Sequence, residues 1–172
     1  MKGSRFITHM KKLKDPGPSL AEFLERARIL QSHLGPILFQ LPPRWALNLD
    51  RLRDLLQVFP PDLRCAFELR DPSWFAEPVY RLLKAHRAAF CIYHIAGRLA
   101  LERVSTYLVY IRLHGPDGAY AGSYDDAALA GWAERIAGWS AEGRTVHCYF
   151  DNDQAGYAAH DALRLQGMLE RG

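Results

Sequence analysis

The chain alternates between two hydrophobic periods, and this alternation limits the folds that it can adopt. Short runs of β-branched and aromatic residues are separated by longer runs whose apolar residues recur every three or four positions. A strand followed by a helix at nearly every step is typical of a parallel α/β fold. The sequence predicts six strands, at residues 5–8, 37–41, 64–70, 89–94, 106–114 and 145–150.

These strands are apolar on one face and become polar on the other towards their C-terminal ends. In residues 107–114, three aliphatic side chains share one face while Tyr110, Arg112 and His114 share the other. Strands of an ordinary doubly wound sheet are apolar on both faces. The pattern therefore favours an α/β barrel with inward polar side chains near its mouth. An open sheet with its site at the carboxyl ends of the strands is the alternative.

Seven polar side chains stand at or next to these strand ends and form the predicted site. They are Gln40, Glu68, Arg70, Arg112, His114, Asp151 and Asn152. We expect the members from four separate strands to meet at one rim, as an anion or phosphate pocket with acid–base capacity.

The residue types suggest a role for each of the charged members. Glu68 and Asp151 are the candidates for general acid and base, and His114 is an alternative for proton transfer at neutral pH. Arg70 and Arg112 are expected to clamp a carboxylate or phosphate, with Gln40 and Asn152 as further ligand contacts. The alternative is that Glu68–Arg112 or Arg70–Asp151 are salt bridges that only hold the structure.

A metal site is a second interpretation of the same strand ends. His9, Glu68, His114 and Asp151 offer the imidazole and carboxylate ligands used in metal-dependent hydrolysis, including that of DNA. No HxH or HExxH motif is present, so the sequence assigns no metal ligands and identifies no cofactor.

Aromatic residues follow two of the strands. Trp74 and Phe75 suit an apolar plug at a helix entry better than stacking on a base. Tyr120 and Tyr124, in the glycine-containing stretch GPDGAYAGSY, are candidates for a lid or for ligand contact. That stretch lacks the Lys-Ser/Thr of a P-loop, so its glycines indicate turns.

Charge and composition restrict the partners. The net charge is +3, and much of it comes from a basic start of the chain: Lys2, Arg5, Lys11, Lys12 and Lys14. Such a run can contact phosphates, but a solvated segment is the simpler interpretation. No apolar run reaches the roughly 20 residues needed to span a bilayer. Three isolated cysteines favour a reducing, cytoplasmic setting.

Six motifs in this order closely resemble the YecE-like family, also named domain of unknown function 72 (DUF72). They are SRFITHMKKLKD, GPILFQLPPRW, FELRDPSWF, CIYHIAG, YIRLHGPDGAYAGSY and YFDNDQAGYAA. The resemblance covers essentially the whole chain and implies a TIM-type barrel, for a family whose name assigns no activity. His94 and Asp161 depart from it, since an acidic residue and an asparagine are frequent at these positions in the family.

The resemblance also implies that the chain is a single domain, residues 1–172, equivalent to the C-terminal part of the barrel. Family members carry a preceding Gly-Trp-containing strand and two βα units, and a TIM barrel needs about 250 residues. The six strands would then be the third to the eighth, with exposed edges that favour self-association. A truncated gene, a fragment and a partner that completes the barrel are the alternatives.

From these features we predict a pocket that binds a small anionic or phosphorylated ligand, with acid–base or hydrolytic chemistry. The alternatives are a protein that binds nucleic acid through the basic N-terminal segment, a metal-dependent DNA phosphodiesterase-like barrel, and an inactive truncated homologue.

Overall fold

Parallel strands and helices alternate along the chain, as the sequence predicts. The computed structural model describes residues 1–171, which fall into two units, Met1–Phe90 and the part from Cys91 onward. The strands are β1 (Ile37–Gln40), β2 (Cys65–Glu68), β3 (Ala89–Ile95), β4 (Arg98–Leu99), β5 (Leu108–Leu113) and β6 (Thr145–Phe150). The helices are α1 (Pro16–Ala27), α2 (Leu49–Val58), α3 (Glu77–Ala85), α4 (Asp126–Ala141) and α5 (Tyr157–Leu169).

In the first unit, β1 and β2 run parallel and in register, so that Gln40 lies beside Glu68. The first residues of β3, Ala89 and Phe90, pair in parallel with β2. Each strand is almost completely buried, as expected for parallel strands covered by helices. The helix α2 begins at a capping asparagine, since Asn48 Oδ1 accepts a hydrogen bond from the Arg51 amide at 3.0 Å.

The predicted strand at Arg5–Thr8 is wrong, because Phe6–Met10 forms a turn of π-helix. The Thr8 hydroxyl donates to the Ser4 carbonyl at 3.1 Å, and the Lys11 amide donates to the Phe6 carbonyl at 2.8 Å. The side-chain bond of Thr8 competes with extended backbone, and together with the backbone bond it overrides the β preference of Ile and Thr. The extended segment lies earlier, where Lys2 pairs with β1 in a single parallel bridge.

In the second unit, the rest of β3 pairs with β5, and β5 pairs with β6, in parallel. The short strand β4 pairs back onto β3 in an antiparallel hairpin, which occupies the stretch where the sequence gives a weak helical signal. The helices α4 and α5 pack against each other and against β6. A capping aspartate begins α4, since Asp125 Oδ1 accepts from the Ala128 amide at 2.7 Å.

The register of the second unit brings polar and aromatic side chains onto one face of its strands. Tyr93 of β3 lies beside Arg112 of β5, which lies beside Tyr149 of β6. Because side chains alternate between faces, His114 and Asp151 follow on the same face, just after the ends of β5 and β6.

The prediction of an α/β fold with parallel strands and flanking helices is confirmed. Closure into a barrel, a single domain over residues 1–172, and truncation stay predictions. None of the helices within residues 1–171 is both long and apolar enough to cross a membrane.

Candidate functional site

Three of the predicted site residues meet at the ends of β5 and β6. Asp151 Oδ2 accepts a hydrogen bond from Arg112 Nη2 at 2.5 Å, and it lies 3.0 Å from His114 Nδ1. The Asp151 amide donates to the Leu113 carbonyl at 2.8 Å, which fixes the two strand ends side by side. We call Arg112, His114 and Asp151 the Asp151 cluster.

The members of the Asp151 cluster differ in their exposure. His114 is fully buried and Arg112 is 8% exposed, whereas the Asp151 side chain keeps 34% of its surface. The cluster thus combines a guanidinium, a buried imidazole and a carboxylate that solvent can reach.

Aromatic rings border the Asp151 cluster. Tyr93 and Tyr120 lie edge-on to His114, with ring centroids at 6.3 and 5.3 Å. Tyr110 stacks on Tyr149 at 5.0 Å. Tyr120 and Tyr149 are 45% and 39% exposed, so both keep surface that a ring-containing ligand can contact.

Tyr124 is buried, unlike Tyr120, and its hydroxyl holds the loop between β5 and α4. The Gly115 amide donates to this oxygen at 3.0 Å, and the oxygen lies 2.9 Å from His94 Nδ1. Burial raises the pKa of the Tyr124 phenol. Gly115 has a φ of 111°, and a Cβ there would overlap the backbone of Ala121, so the loop depends on glycine at this point.

A buried carboxylate in α5 holds the other end of that loop. Asp161 is fully buried and accepts hydrogen bonds from Ser123 Oγ at 2.8 Å and from the Tyr124 amide at 2.9 Å. It also accepts from Asn152 Nδ2 at 2.8 Å and from Arg164 Nη1 at 2.9 Å. Asn152 is therefore part of the support behind the loop, where its Nδ2 also donates to the Gly122 carbonyl.

The predicted residues of the first unit form their own pairs at the ends of β1 and β2. Arg70 Nε donates to Glu68 Oε1 at 2.5 Å, and Glu68 is fully buried. Lys2 Nζ donates to Gln40 Oε1 at 2.6 Å. The roles assigned to Gln40, Glu68 and Arg70, and the meeting of all four strand ends at one rim, stay predictions.

A metal-binding geometry is not found in the part of the chain that the structure describes. No three His, Cys, Asp or Glu side chains within residues 1–171 are arranged to hold a metal ion. The metal-dependent interpretation of His9, Glu68, His114 and Asp151 therefore gains no support from the structure.

Trp74 and Phe75 occupy apolar surroundings, as the plug interpretation expects. Trp74 is fully buried, and its Nε1 donates to the Trp45 carbonyl at 2.6 Å. The two tryptophan rings meet edge-on at 5.2 Å, and Phe75 meets Phe90 edge-on at 6.1 Å. Trp74 has no exposed ring face on which a base could stack.

Two residues near the site had no role in the sequence-based prediction. Tyr93 could have been found from the alternation in β3 combined with parallel register. Asp161 stands with Ala158 and Leu165 on the buried face of α5, and a carboxylate on an apolar helix face is a signal of a buried network.

The burial of His94, whose Nδ1 lies 2.9 Å from the Tyr124 hydroxyl, makes stability depend on pH. Burial lowers the pKa of His94, whereas in the unfolded chain it returns to about 6.5. Protonation of His94 therefore favours the unfolded chain. The contribution of neutral His94 to the stability of the fold is complete above the pKa of the unfolded chain, and it is lost as the pH falls through the lower pKa of the folded state. We expect the free energy of unfolding by urea to be smaller at about pH 5 than at about pH 7.5. His94→Asn keeps an acceptor for Tyr124 but cannot titrate in this range, so it should reduce the difference.

Exposed His86 provides the control, because His86→Asn makes the same substitution while the His94 imidazole is kept. A pH dependence that is identical in His94→Asn and the unmodified chain would contradict this assignment.

Comparison with known proteins gives a family but no activity. The crystal structure of a DUF72 family protein from Thermotoga maritima is 25% identical, with a TM-score of 0.88, covering 98% of this chain and 72% of that one. A DUF72 family protein from Enterococcus faecalis is similar in fold, at 23% identity and a TM-score of 0.80 over 99% of this chain and 77% of that one. No curated protein matches the sequence. The model of the family described as protein of unknown function DUF72 matches residues 1–172, and the chain therefore belongs to the DUF72 family.

Proposed function

We propose that the Asp151 cluster binds a small anionic ligand and exchanges a proton with it. The observation that carries this proposal is the single carboxylate oxygen, Asp151 Oδ2, that Arg112 and His114 approach together. The cluster follows directly after two neighbouring parallel strands, which is where α/β proteins place their ligands.

Each member of the cluster has a distinct task in this proposal. Arg112 supplies the charge that attracts a carboxylate or phosphate. We assign the proton transfer to His114, because an imidazole can both accept and donate a proton. Asp151 lies against the imidazole and the guanidinium and balances the charge of Arg112. Acid–base chemistry of this kind serves hydrolysis as well as other proton transfers.

The surroundings of the cluster fit a ligand that carries a ring. The exposed faces of Tyr120 and Tyr149 provide apolar contact next to the charged groups. Tyr124 and Asn152 hold the loop that carries Tyr120, so we assign them to the support of the site rather than to ligand contact.

Replacing Arg112 tests the binding step. Titration with phosphate or acetate should shift the ring signals of His114 in an NMR spectrum. Arg112→Gln should weaken this binding by roughly 10–100-fold, since a charged hydrogen bond contributes about 1.5–3 kcal/mol. Asp151→Asn should strengthen it, because the substitution removes the negative charge that competes with the anion.

The exposed Arg98 in β4 is the matched control, and Arg98→Gln should leave the titration unchanged. If anions shift no signal of His114, or if Arg112→Gln binds them as tightly as the unmodified chain, the proposed function is wrong.

A further inference from the structure

A cavity of about 420 Å³ lies beside α4 in the second unit, and the proposed function does not use it. We propose that this cavity binds a small aromatic carboxylate. Its walls come from the end of β3, the hairpin of β3 and β4, the loop after β5, and α4. The proposal uses residues from Cys91 onward alone and does not rest on the proposed function of the Asp151 cluster.

Strand alternation separates the cavity from the Asp151 cluster. His94, which lines the cavity, lies beside Leu113 in the parallel register of β3 and β5. Arg112 and His114 are the neighbours of Leu113 in sequence, so their side chains point to the opposite face of the strands. A ligand in the cavity would therefore contact the other side of β5 from the cluster.

Small residues of α4 leave the space that forms the cavity. Ala127, Ala128 and Gly131 line it along one side of the helix. Among the described residues, a Cβ on Gly131 would meet nothing beyond its own turn of helix within 4 Å. Glycine within a helix costs stability relative to alanine, so Gly131 keeps the cavity open at the expense of the helix.

The hairpin of β3 and β4 forms a second, fixed wall. Its two connecting residues, Ala96 and Gly97, have φ angles of 49° and 70°, and a tight type I′ turn requires a positive φ at both positions. The Ala96 amide donates to the Gly115 carbonyl at 2.9 Å, which ties the turn to the loop after β5. Leu99 of this hairpin lines the cavity and is 42% exposed. The wall is thus held in place before a ligand binds, which reduces the cost of binding.

Trp132 and Arg135 give the cavity an aromatic ring and a positive charge. Arg135 Cζ lies 4.9 Å from the centroid of the Trp132 ring, a cation–π contact that holds the guanidinium at the border of the cavity. Arg135 Nε lies 3.4 Å from Glu102 Oε2, and the two side chains are 41% and 37% exposed. An exposed pair of this kind contributes little to stability. The carboxylate of a ligand can therefore replace Glu102 or use the other N–H donors of the guanidinium.

The chemistry of the walls favours an aromatic monoanion. Within residues 91–171, the lining includes one cation, Arg135, and no carboxylate. Most of the other lining residues are apolar, and the Trp132 ring suits packing against a second ring. The volume lies towards the lower end of the roughly 300–1,000 Å³ that is typical of small-molecule sites, which favours a small ligand. Phenylacetate carries both the ring and the carboxylate and serves as the probe.

NMR titration of the isotope-labelled full chain with phenylacetate tests the site. We expect saturable shifts of the Gly131 amide and of the Trp132 indole N–H. Acetate lacks the ring and phenylacetamide lacks the charge, so each should bind at least about ten-fold more weakly at these signals. Arg135→Gln should weaken phenylacetate binding about five-fold or more, since it removes a charged hydrogen bond that solvent partly screens.

Gly131→Leu and Gly138→Leu form a matched pair within α4. A Cβ on Gly138 also meets nothing beyond its own turn among the described residues, but Gly138 lies two turns further along the helix, outside this cavity. Both substitutions should raise the urea concentration at the midpoint of unfolding, because leucine favours a helix more than glycine does. Only Gly131→Leu should weaken phenylacetate binding, by at least about ten-fold, because its side chain occupies the space of the ligand. The smaller Gly131→Ala and the exposed Arg135→Gln keep the test valid if Gly131→Leu fails to fold.

Three outcomes would overturn the proposal. The first is phenylacetate that shifts the ring signals of His114 but not the Trp132 indole N–H, which would assign the anion to the Asp151 cluster. The second is phenylacetamide that binds as tightly as phenylacetate, which would exclude a site for a carboxylate. The third is a folded Gly131→Leu chain that binds phenylacetate as tightly as Gly138→Leu does, which would place the ligand outside the cavity.

Discussion

Replacing Asp161 with alanine is expected to lower the free energy of unfolding by about 3–5 kcal/mol, the range found when one partner of a buried charged network is removed. Asp161 is fully buried and accepts four hydrogen bonds, so its loss leaves buried donors in the loop without an acceptor. Urea denaturation followed by far-UV circular dichroism measures the effect. The loop before α4 should loosen as well, which hydrogen exchange at the Tyr124 amide would detect.

Asp161→Asn separates the shape of this side chain from its charge. The amide keeps one acceptor oxygen, and Ser123 Oγ can rotate to accept instead of donate, so we expect a loss of only about 1–2 kcal/mol. Asn is also the residue that the resemblance to the family leads us to expect at this position. Equal losses in Asp161→Ala and Asp161→Asn would show that the charge, rather than the set of acceptors, stabilises the loop. A loss below 1 kcal/mol in Asp161→Ala would contradict the network.

The alternation of strands and helices is encoded locally, and for this reason the fold class could be predicted. Each parallel strand of this chain is a short apolar run, and each following helix repeats its apolar residues at helical spacing. The N-terminal segment could not be predicted in this way. Its sequence has the composition of a strand, but the Thr8 hydroxyl and the burial of Ile7 stabilise a helical turn there.

The site could be predicted as far as strand geometry determines it. Arg112, His114 and Asp151 follow from period-two alternation together with parallel register, and the structure brings the three together. The positions of the loop side chains cannot be predicted in this way, because a loop has no periodic pattern of burial. Tyr120 and Tyr124 are equivalent in sequence, yet only Tyr124 is buried, because Asp161 and Gly115 bind its backbone and its hydroxyl.

The contacts that bury Tyr124 also hold the Asp151 cluster in place. Asp161 binds both Tyr124 and Asn152, and Asn152 is the residue after Asp151. One buried carboxylate thus fixes the loop that carries Tyr120 and also the residue next to the cluster. A loss of anion binding in Asp161→Ala would therefore be an effect on positioning, and Asp161→Asn should restore it.

Replacing Trp74 with alanine is the other change with a large expected effect. The indole is fully buried against Trp45, and truncation of a buried tryptophan costs about 3–5 kcal/mol. If Trp74 instead served to stack on a base, its removal would abolish oligonucleotide binding and leave stability nearly unchanged. Urea denaturation followed by circular dichroism distinguishes the two, since it does not depend on the fluorescence of the missing indole.

Trp74→Phe and Tyr120→Ala complete the test of Trp74. Phenylalanine keeps most of the packing but leaves the Trp45 carbonyl without its donor, so we expect an intermediate loss of about 1–3 kcal/mol. Tyr120 is an aromatic residue that is 45% exposed, and its replacement by alanine should change stability by no more than about 0.5 kcal/mol. Burial, rather than aromatic character, distinguishes Trp74 from Tyr120. The loss in free energy of unfolding should therefore be largest for Trp74→Ala, smaller for Trp74→Phe and smallest for Tyr120→Ala. If the Trp74→Ala chain is as stable as the Tyr120→Ala chain, the interpretation of Trp74 as an apolar plug is wrong.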